Sequence, residues 1–144
     1  MSVVMERVRL VHKGLSPYAS IVKEMREFTS RRNSNTPDEL WLLEHPPVYT
    51  LGLASDPAHG PRLDNGIPVV KTERGGEITY HGPGQVVLYT LVDLARRGIK
   101  VKQFVAMLEQ SVIDVLGGRA ARTPGAPGVY VDGAKVAALG LRVS

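Results

Sequence analysis

The sequence contains no cysteine among its 144 residues. This absence excludes disulfide bonds, thiolate metal sites and a thiol nucleophile within the chain. The sequence also has no apolar run near the ~18 residues that a membrane-spanning helix needs. Between Met1 and Lys13, the charged residues Glu6, Arg7 and Arg9 interrupt any apolar segment of the kind found in signal peptides. We therefore expect a cytoplasmic protein that folds as one domain, residues 1–144.

Aromatic residues are few, with five Tyr, two Phe and one Trp, and the charge balance is only moderately basic. The 18 basic and 14 acidic residues give a net charge of +4, and the longest basic clusters are the pairs Arg31-Arg32 and Arg96-Arg97. RNA-binding modules combine basic and aromatic side chains, and no such pattern occurs here. We expect neither nucleic acid nor a membrane as a partner, whereas an acidic protein partner suits the positive charge.

Motifs for phosphate and metal binding are also missing. The glycines match neither the P-loop pattern nor the Gly-x-Gly-x-x-Gly pattern that precedes a helix in dinucleotide-binding folds. The four histidines, His12, His45, His59 and His81, are far apart and lack the paired spacing of metal ligands. We expect no metal and no cofactor.

Local patterns predict a mixed α/β or α+β domain in which strands outnumber helices. Ser16 followed by Pro17 is typical of a helix start, with Ser16 as the N-cap. Asp132-Gly133 predicts a two-residue hairpin turn, because both central positions need positive φ. The other predicted elements are a strand at 7–11, a helix whose core face includes Tyr18, Ile21, Val22, Met25 and Phe28, strands at 39–44 and 67–72, a surface loop at 54–66, a strand at 86–92 covered on both faces, a helix at 104–116, and strand-like alternation at 141–144.

The densest glycine cluster, Arg74–Gln85, runs directly into the predicted strand at 86–92. Glycine allows a ligand to approach the backbone closely and exposes amide donors. Arg74 can anchor an anionic or carbonyl group, and His81 can donate, accept or shuttle a proton. The alternative is a glycine-rich turn with one ordinary surface histidine, and the cluster alone does not decide between these two interpretations.

Lys135 follows the predicted hairpin turn and is surrounded by small apolar residues. A partly buried lysine could activate a neighbouring group electrostatically. The spacing favours the simpler interpretation, in which Lys135 lies on the solvent face of the hairpin.

Three stretches of the sequence resemble the lipoyl(octanoyl) transferase family, also called lipoate-protein ligase B. They are Glu44–Gly52, Arg74–Gln85, and Ala126–Val131 followed by Lys135 and Leu139–Arg142. The resemblance spans nearly the whole chain, and the twelve-residue glycine segment Arg74–Gln85 is its most specific part.

The resemblance implies the α/β fold of biotin and lipoate ligases, which is shared with class II aminoacyl-tRNA synthetase catalytic cores. It also implies transfer of an octanoyl group from octanoyl-acyl carrier protein to a lysine of lipoyl domains in 2-oxoacid dehydrogenase complexes or of the glycine cleavage H protein. By the resemblance, Lys135 lowers the pKa of the nucleophilic cysteine. The residues that it implies in the acyl pocket are Arg74, Gly75, Gly76, Glu77, Ile78, Thr79, Tyr80, His81, Ala138, Leu139 and Gly140.

The family's acyl-accepting cysteine lies downstream of the last matching stretch, and these 144 residues contain no equivalent. We expect an octanoyltransferase catalytic domain without its C-terminal part, inactive on its own. Two alternatives are an ATP-dependent ligase of the lipoate or biotin type and a non-catalytic acyl-binding module. Dependence on ATP would identify the first, and acyl binding without transfer would identify the second.

Overall fold

The computed structural model describes residues 7–55 and 65–144 and divides into two compact units. The first unit comprises Met1–Val92 with Arg142–Ser144, and the second comprises Asp93–Leu141. The elements are β1 (Val8–Leu15), α1 (Tyr18–Arg31), β2 (Asp38–Glu44), β3 (Val48–Leu51), β4 (Val69–Lys71), β5 (Thr79–His81), β6 (Val87–Leu91), α2 (Leu94–Arg97), α3 (Val101–Leu116), β7 (Ala120–Thr123), β8 (Ala126–Val131) and β9 (Ala134–Ala137).

The core of the first unit lies between α1 and a three-stranded sheet. Strand β2 is central, parallel to β1 and antiparallel to β6. Ile21 of α1 packs against Trp41 and Leu43 of β2, and all three side chains are buried. Met25 and Phe28 extend this contact along the helix, because residues three and four apart share one helix face. The core face predicted for this helix is therefore confirmed for Ile21, Met25 and Phe28.

A second sheet of the first unit has the strand order β4-β3-β5. Strand β3 runs parallel to β4 and antiparallel to β5. Strand β5 lies inside the glycine segment Arg74–Gln85, which the sequence pattern had indicated only as a loop. The glycine segment is therefore anchored to a sheet at Thr79–His81.

The second unit packs α3 on the antiparallel sheet β7-β8-β9. Phe104 of α3 and Val129 of β8 are its buried apolar residues. The turn between β8 and β9 has φ of 50° at Asp132 and 80° at Gly133, as the hairpin prediction required. The mixed α/β fold class predicted from the sequence is confirmed by both units.

Three local predictions are wrong. The Ser16 hydroxyl donates to the Lys13 carbonyl at 2.9 Å instead of capping α1, whose N-cap position is Pro17. Strand β6 is not covered on both faces, because the side chain of Leu88 remains 46% exposed. Residues 141–144 form no regular strand.

Two other predictions concern the region between β3 and β5. The strand expected at 67–72 is confirmed but shorter, since only Val69–Lys71 pair with β3. The loop expected at 54–66 falls mostly outside the described residues, as does His59. In the described ranges, no helix is long and apolar enough to cross a bilayer.

Candidate active site

Arg74 holds the start of the glycine segment against strand β3. Its Nη2 atom donates to the Thr50 carbonyl at 2.9 Å, to the Thr50 hydroxyl at 2.7 Å and to the Glu77 carbonyl at 2.8 Å. Its Nη1 atom donates to the Gly75 carbonyl at 2.9 Å. No acidic side chain of residues 7–55 or 65–144 pairs with Arg74, and the carbonyl and hydroxyl oxygens that accept from it are neutral. Burial lowers the pKa of the guanidinium.

Glycine is required where β3 and the glycine segment meet. A Cβ atom at Gly52 would collide with the Gly76 carbonyl and would lie 2.5 Å from Nη1 of Arg74. Gly76 itself has a φ of 93°, a conformation that L side chains rarely adopt. At Gly82 a Cβ atom would strike the ring of Tyr80. Gly52 and Gly76 thus let the two backbones meet just after β3, where the Leu53 and Ala54 amides donate to the Arg74 and Gly76 carbonyls.

His45 is a completely buried imidazole at the end of β2. Its Nδ1 atom lies 2.8 Å from the Ser16 carbonyl, and its Nε2 atom lies 2.7 Å from the Tyr89 hydroxyl. Because a carbonyl can only accept, Nδ1 carries the proton, and in the neutral ring Nε2 accepts from Tyr89. Burial lowers the pKa of His45, which favours this neutral form.

Two tyrosines complete the surroundings of His45. The ring of Tyr18, at the start of α1, packs edge-on against His45 with 5.3 Å between centroids, and Tyr89 does so at 5.7 Å. Burial raises the pKa of both hydroxyls, and the charge of Arg74 opposes this rise. Both phenols therefore remain protonated, and Tyr89 can donate its proton to Nε2 of His45.

His81 ends strand β5 and lies beside His45, with 5.7 Å between ring centroids. Its Nδ1 atom is 2.5 Å from Oε1 of Gln85. Burial lowers the pKa of His81, and the Gln85 hydrogen bond partly opposes this. The charge of Arg74, and any positive charge on His45, lower the pKa further. His81 is thus held as a neutral, half-buried imidazole.

The rest of the predicted segment is positioned by β5. Thr79 pairs with Thr50 of β3, and Tyr80 stacks at a tilt on Tyr49 with 5.3 Å between centroids. Ile78 is half-buried just before the strand, and the side chain of Glu77 is exposed. Within the predicted stretch, Arg74 and His81 lie near Tyr18, His45 and Tyr89, whereas the side chains of Glu77 and Tyr80 are exposed.

Lys135 lies in β9 of the second unit, and its side chain is exposed, as the simpler interpretation of the hairpin required. Its Nζ atom is 5.7 Å from the ring centroid of Tyr130. The strands β8 and β9 approach closely, since a Cβ atom at Gly128 would be only 2.7 Å from the Ala137 carbonyl. Ala138, Leu139 and Gly140 follow β9 without regular structure, and only Leu139 is half-buried.

The sequence analysis missed four residues of this site. Tyr18 was assigned only to a core face, Tyr89 to an apolar strand, His45 only to the family-like stretch Glu44–Gly52, and Gln85 to the end of the glycine segment. A usable signal was present in the two tyrosines, because a phenol on an otherwise apolar face needs a polar partner. Within the described residues, no three metal-ligating side chains come together.

Comparisons with known proteins give relatives over most of the chain. It is 61% identical over 133 residues to the octanoyltransferase of Aromatoleum aromaticum, a match that covers 90% of this chain and 57% of that protein. It is 60% identical over 134 residues to the octanoyltransferase of Methylococcus capsulatus, covering 90% of this chain and 64% of that protein. The chain thus spans about three fifths of the length of these curated relatives.

Solved structures share the fold at low sequence identity. A chain of the bipartite lipoate protein ligase system from Thermoplasma acidophilum aligns with a TM-score of 0.66 and 16% identity, covering 89% of this chain and 52% of that one. Lipoate-protein ligase A bound with ATP aligns with a TM-score of 0.56 and 16% identity, covering 90% of this chain and 52% of that one. These neighbours confirm the lipoate ligase-like fold predicted from the sequence. The sequence model of the lipoyl protein ligase A/B catalytic domain matches residues 16–144, and the chain belongs to this family.

Proposed function

We propose that this chain provides the acyl-binding part of an octanoyltransferase, which moves an octanoyl group from acyl carrier protein to a lysine of a lipoyl domain. The observation that carries the proposal is the glycine segment Arg74–Gln85, held over β3 by Arg74 in a chain 61% identical to a named octanoyltransferase. The lipoyl domains of 2-oxoacid dehydrogenase complexes and the glycine cleavage H protein are the acceptors that we propose.

The positive charge of Arg74 can stabilise the negative charge that develops during acyl transfer. Attack on a thioester places negative charge on the carbonyl oxygen, and a fixed positive charge in a partly buried site stabilises that charge. Arg74 already uses both terminal nitrogens to fix the loop. It therefore acts through its charge, which no described carboxylate neutralises, while the backbone of Gly75 and Gly76 allows close approach of the acyl group.

Lys135 has a separate role in the proposal. A nearby ammonium group lowers the pKa of a thiol and so increases the fraction of the reactive thiolate. We assign this role to Lys135 toward a cysteine that the 144 residues do not themselves contain. Without a thiol, the chain has no nucleophile of this type on which to carry the octanoyl group.

The test is the intact mass of a lipoyl domain after incubation with octanoyl-acyl carrier protein. The 144-residue chain is expected to cause no octanoyl mass increase above the enzyme-free control. A fusion to the segment that follows the matched region in the Aromatoleum aromaticum octanoyltransferase is expected to cause transfer. Failure of the folded fusion to transfer would contradict the proposed function, and transfer by the 144 residues alone would overturn the need for a cysteine.

Lys135→Met in the fusion tests the assignment of the ammonium group. The thiol should return toward its ordinary pKa of about 8.5, so the rate at neutral pH should fall roughly tenfold or more and recover as the pH rises. Lys23→Met, at an exposed lysine of α1, is the matched control and should leave the pH–rate profile unchanged. A uniform loss of rate at all pH values would instead assign Lys135 a structural role.

A second candidate is a non-catalytic acyl-binding module, because the segment held by Arg74 could bind an acyl group without transferring it. The same mixture distinguishes it, because octanoyl-acyl carrier protein would bind to the 144-residue chain while the lipoyl domain stayed unmodified in every fusion. Replacing the carrier with free octanoate and ATP tests the ligase alternative, which requires transfer only when ATP is present.

A further inference from the structure

Gln85 is fixed in one orientation by the backbone of strand β5. Its Nε2 atom donates to the Tyr80 carbonyl at 2.9 Å. Since only the amide nitrogen can donate to a carbonyl, the other end of the side chain, Oε1, must be an acceptor. This oxygen lies 2.5 Å from Nδ1 of His81, so Nδ1 must carry the proton.

The second nitrogen of His81 is left open. In residues 7–55 and 65–144, Nε2 of His81 has no hydrogen-bond partner, and in the neutral ring it carries a lone pair. The charged or titratable neighbours that act on the ring are His45 and Arg74, and a positive charge on either one opposes protonation of His81. The nearby carboxylate of Glu44 accepts from the Gly84 amide.

His45 has a different arrangement, which explains why it does not compete for the same role. Both of its nitrogens are occupied, Nδ1 by the Ser16 carbonyl and Nε2 by the Tyr89 hydroxyl, and the ring is completely buried. His81 is half-buried and lies at the end of the glycine segment. Of the two adjacent imidazoles, only His81 offers an unoccupied lone pair.

We propose that Gln85 is a positioning residue that holds His81 with Nδ1 protonated, so that Nε2 accepts the proton released when the acceptor lysine attacks the octanoyl thioester. The inference rests on the proposed function. In this step the amine nitrogen forms a bond to the acyl carbon, the carbon–sulfur bond breaks, and the thiolate leaves. The proton of the amine passes to His81, which later returns it to the thiolate or to water.

The simpler explanation is that Gln85 only stabilises the turn after β5 through its hydrogen bond to the Tyr80 carbonyl. The two explanations differ in what they predict for His81. A residue that only stabilises the turn does not determine which ring nitrogen of His81 carries the proton. The tautomer is therefore the decisive observation, and it can be measured without activity.

The first experiment is ¹⁵N nuclear magnetic resonance of the histidine rings in the 144-residue chain and in Gln85→Met and Gln85→Glu. Wild-type His81 should be the Nδ1-protonated tautomer at neutral pH. Gln85→Met should yield a mixture containing the Nε2-protonated form. Gln85→Glu should raise the titration midpoint by about one pH unit or more, because a carboxylate favours the charged ring. His12, which is exposed, is the internal control and should not change.

An Nε2-protonated His81 in the wild type, or an unchanged tautomer in Gln85→Met, would overturn the positioning role.

The second experiment uses the fusion and separates acyl loading from transfer in single turnovers. His81→Gln should slow transfer to the lysine by about 10²–10⁴-fold with loading unchanged, and His12→Gln should alter neither step.

Failure of the proposed function and failure of the proton-accepting role of His81 give different results. If the wild-type fusion does not transfer octanoate, the proposed function fails, and the tautomer measurement still decides the role of Gln85. If the wild-type fusion transfers and His81→Gln keeps the wild-type rate and pH profile, the proton-accepting role of His81 fails while the proposed function stands.

Discussion

His45 couples the stability of the first unit to pH because its imidazole ring is buried. Burial lowers the pKa of His45 below the value of about 6.5 that the unfolded chain has. The unfolded state therefore takes up a proton first as the pH falls. The stabilisation is fully present above about pH 6.5 and is lost as the pH falls toward the folded-state pKa. His81 has a shift of the same direction and adds to this dependence.

We predict that His45→Phe lowers the free energy of unfolding by about 1–3 kcal/mol near neutral pH, because the Ser16 carbonyl and the Tyr89 hydroxyl lose their partner. The variant should also lose less stability than the wild type between about pH 7.5 and about pH 5.5. Urea unfolding at both pH values measures this, with His12→Gln as the control. An equal loss of stability with pH in wild type and His45→Phe would show that another group causes the pH dependence.

At the residue scale, the sequence predicted which side chains matter better than it predicted what they contact. The composition of the glycine segment identified Arg74 and His81. Their partners could not be predicted, because Thr50 reaches Arg74 only through the approach of β3 and Gln85 reaches His81 only through the turn that follows β5. Contacts between residues 24 positions apart depend on sheet register, which local patterns do not encode.

At the element scale, helical periodicity and the hairpin signal were reliable, whereas the Ser16 capping signal and the signals for short paired strands were not. Helices α1 and α3 and the β8–β9 hairpin follow from helical periodicity and from Asp132-Gly133. Strands β3, β5 and β7 were missed, because they are only three or four residues long and are defined by pairing with distant segments. The apolar sequence of β6 indicated burial on both faces, but apolar content does not reveal whether another layer packs on each face of the sheet.

The hairpin offers a prediction at this scale. Gly133 has a φ of 80°, and an alanine there would carry a Cβ atom in a left-handed conformation. Gly133→Ala should therefore lower the free energy of unfolding by about 1–2 kcal/mol in urea titrations. Gly118→Ala is the matched control in the same unit, because a Cβ atom at that position meets nothing within 4 Å. Equal stability of the two variants would contradict the left-handed turn.

At the scale of the whole molecule, the excess positive charge is unevenly neutralised. Each acidic side chain of the second unit accepts a hydrogen bond or forms an ion pair within that unit. The contacts are Asp93 with the Arg96 amide, Glu109 with Arg122, Asp114 with Gln110, and Asp132 with Arg119. In contrast, Lys100 and Lys102 at the start of α3 are exposed and form no ion pair with any described residue.

This distribution leads to a prediction about the acidic partner expected from the net charge. Lys100→Glu with Lys102→Glu changes the net charge by −4, from +4 to 0, and should weaken binding of octanoyl-acyl carrier protein at low salt. Folding should be unaffected, because negative side chains are favourable in the first turn of a helix. Lys23→Glu with Lys71→Glu changes the net charge equally at two other exposed lysines and is the control. Fluorescence anisotropy of a labelled carrier protein across salt concentrations compares the two variants.

A larger loss of affinity for the Lys100→Glu/Lys102→Glu variant, with a weaker salt dependence, would locate the docking charge at the start of α3. Equal losses would show that only the net charge steers the partner, because long-range attraction depends on the total charge and not on its position.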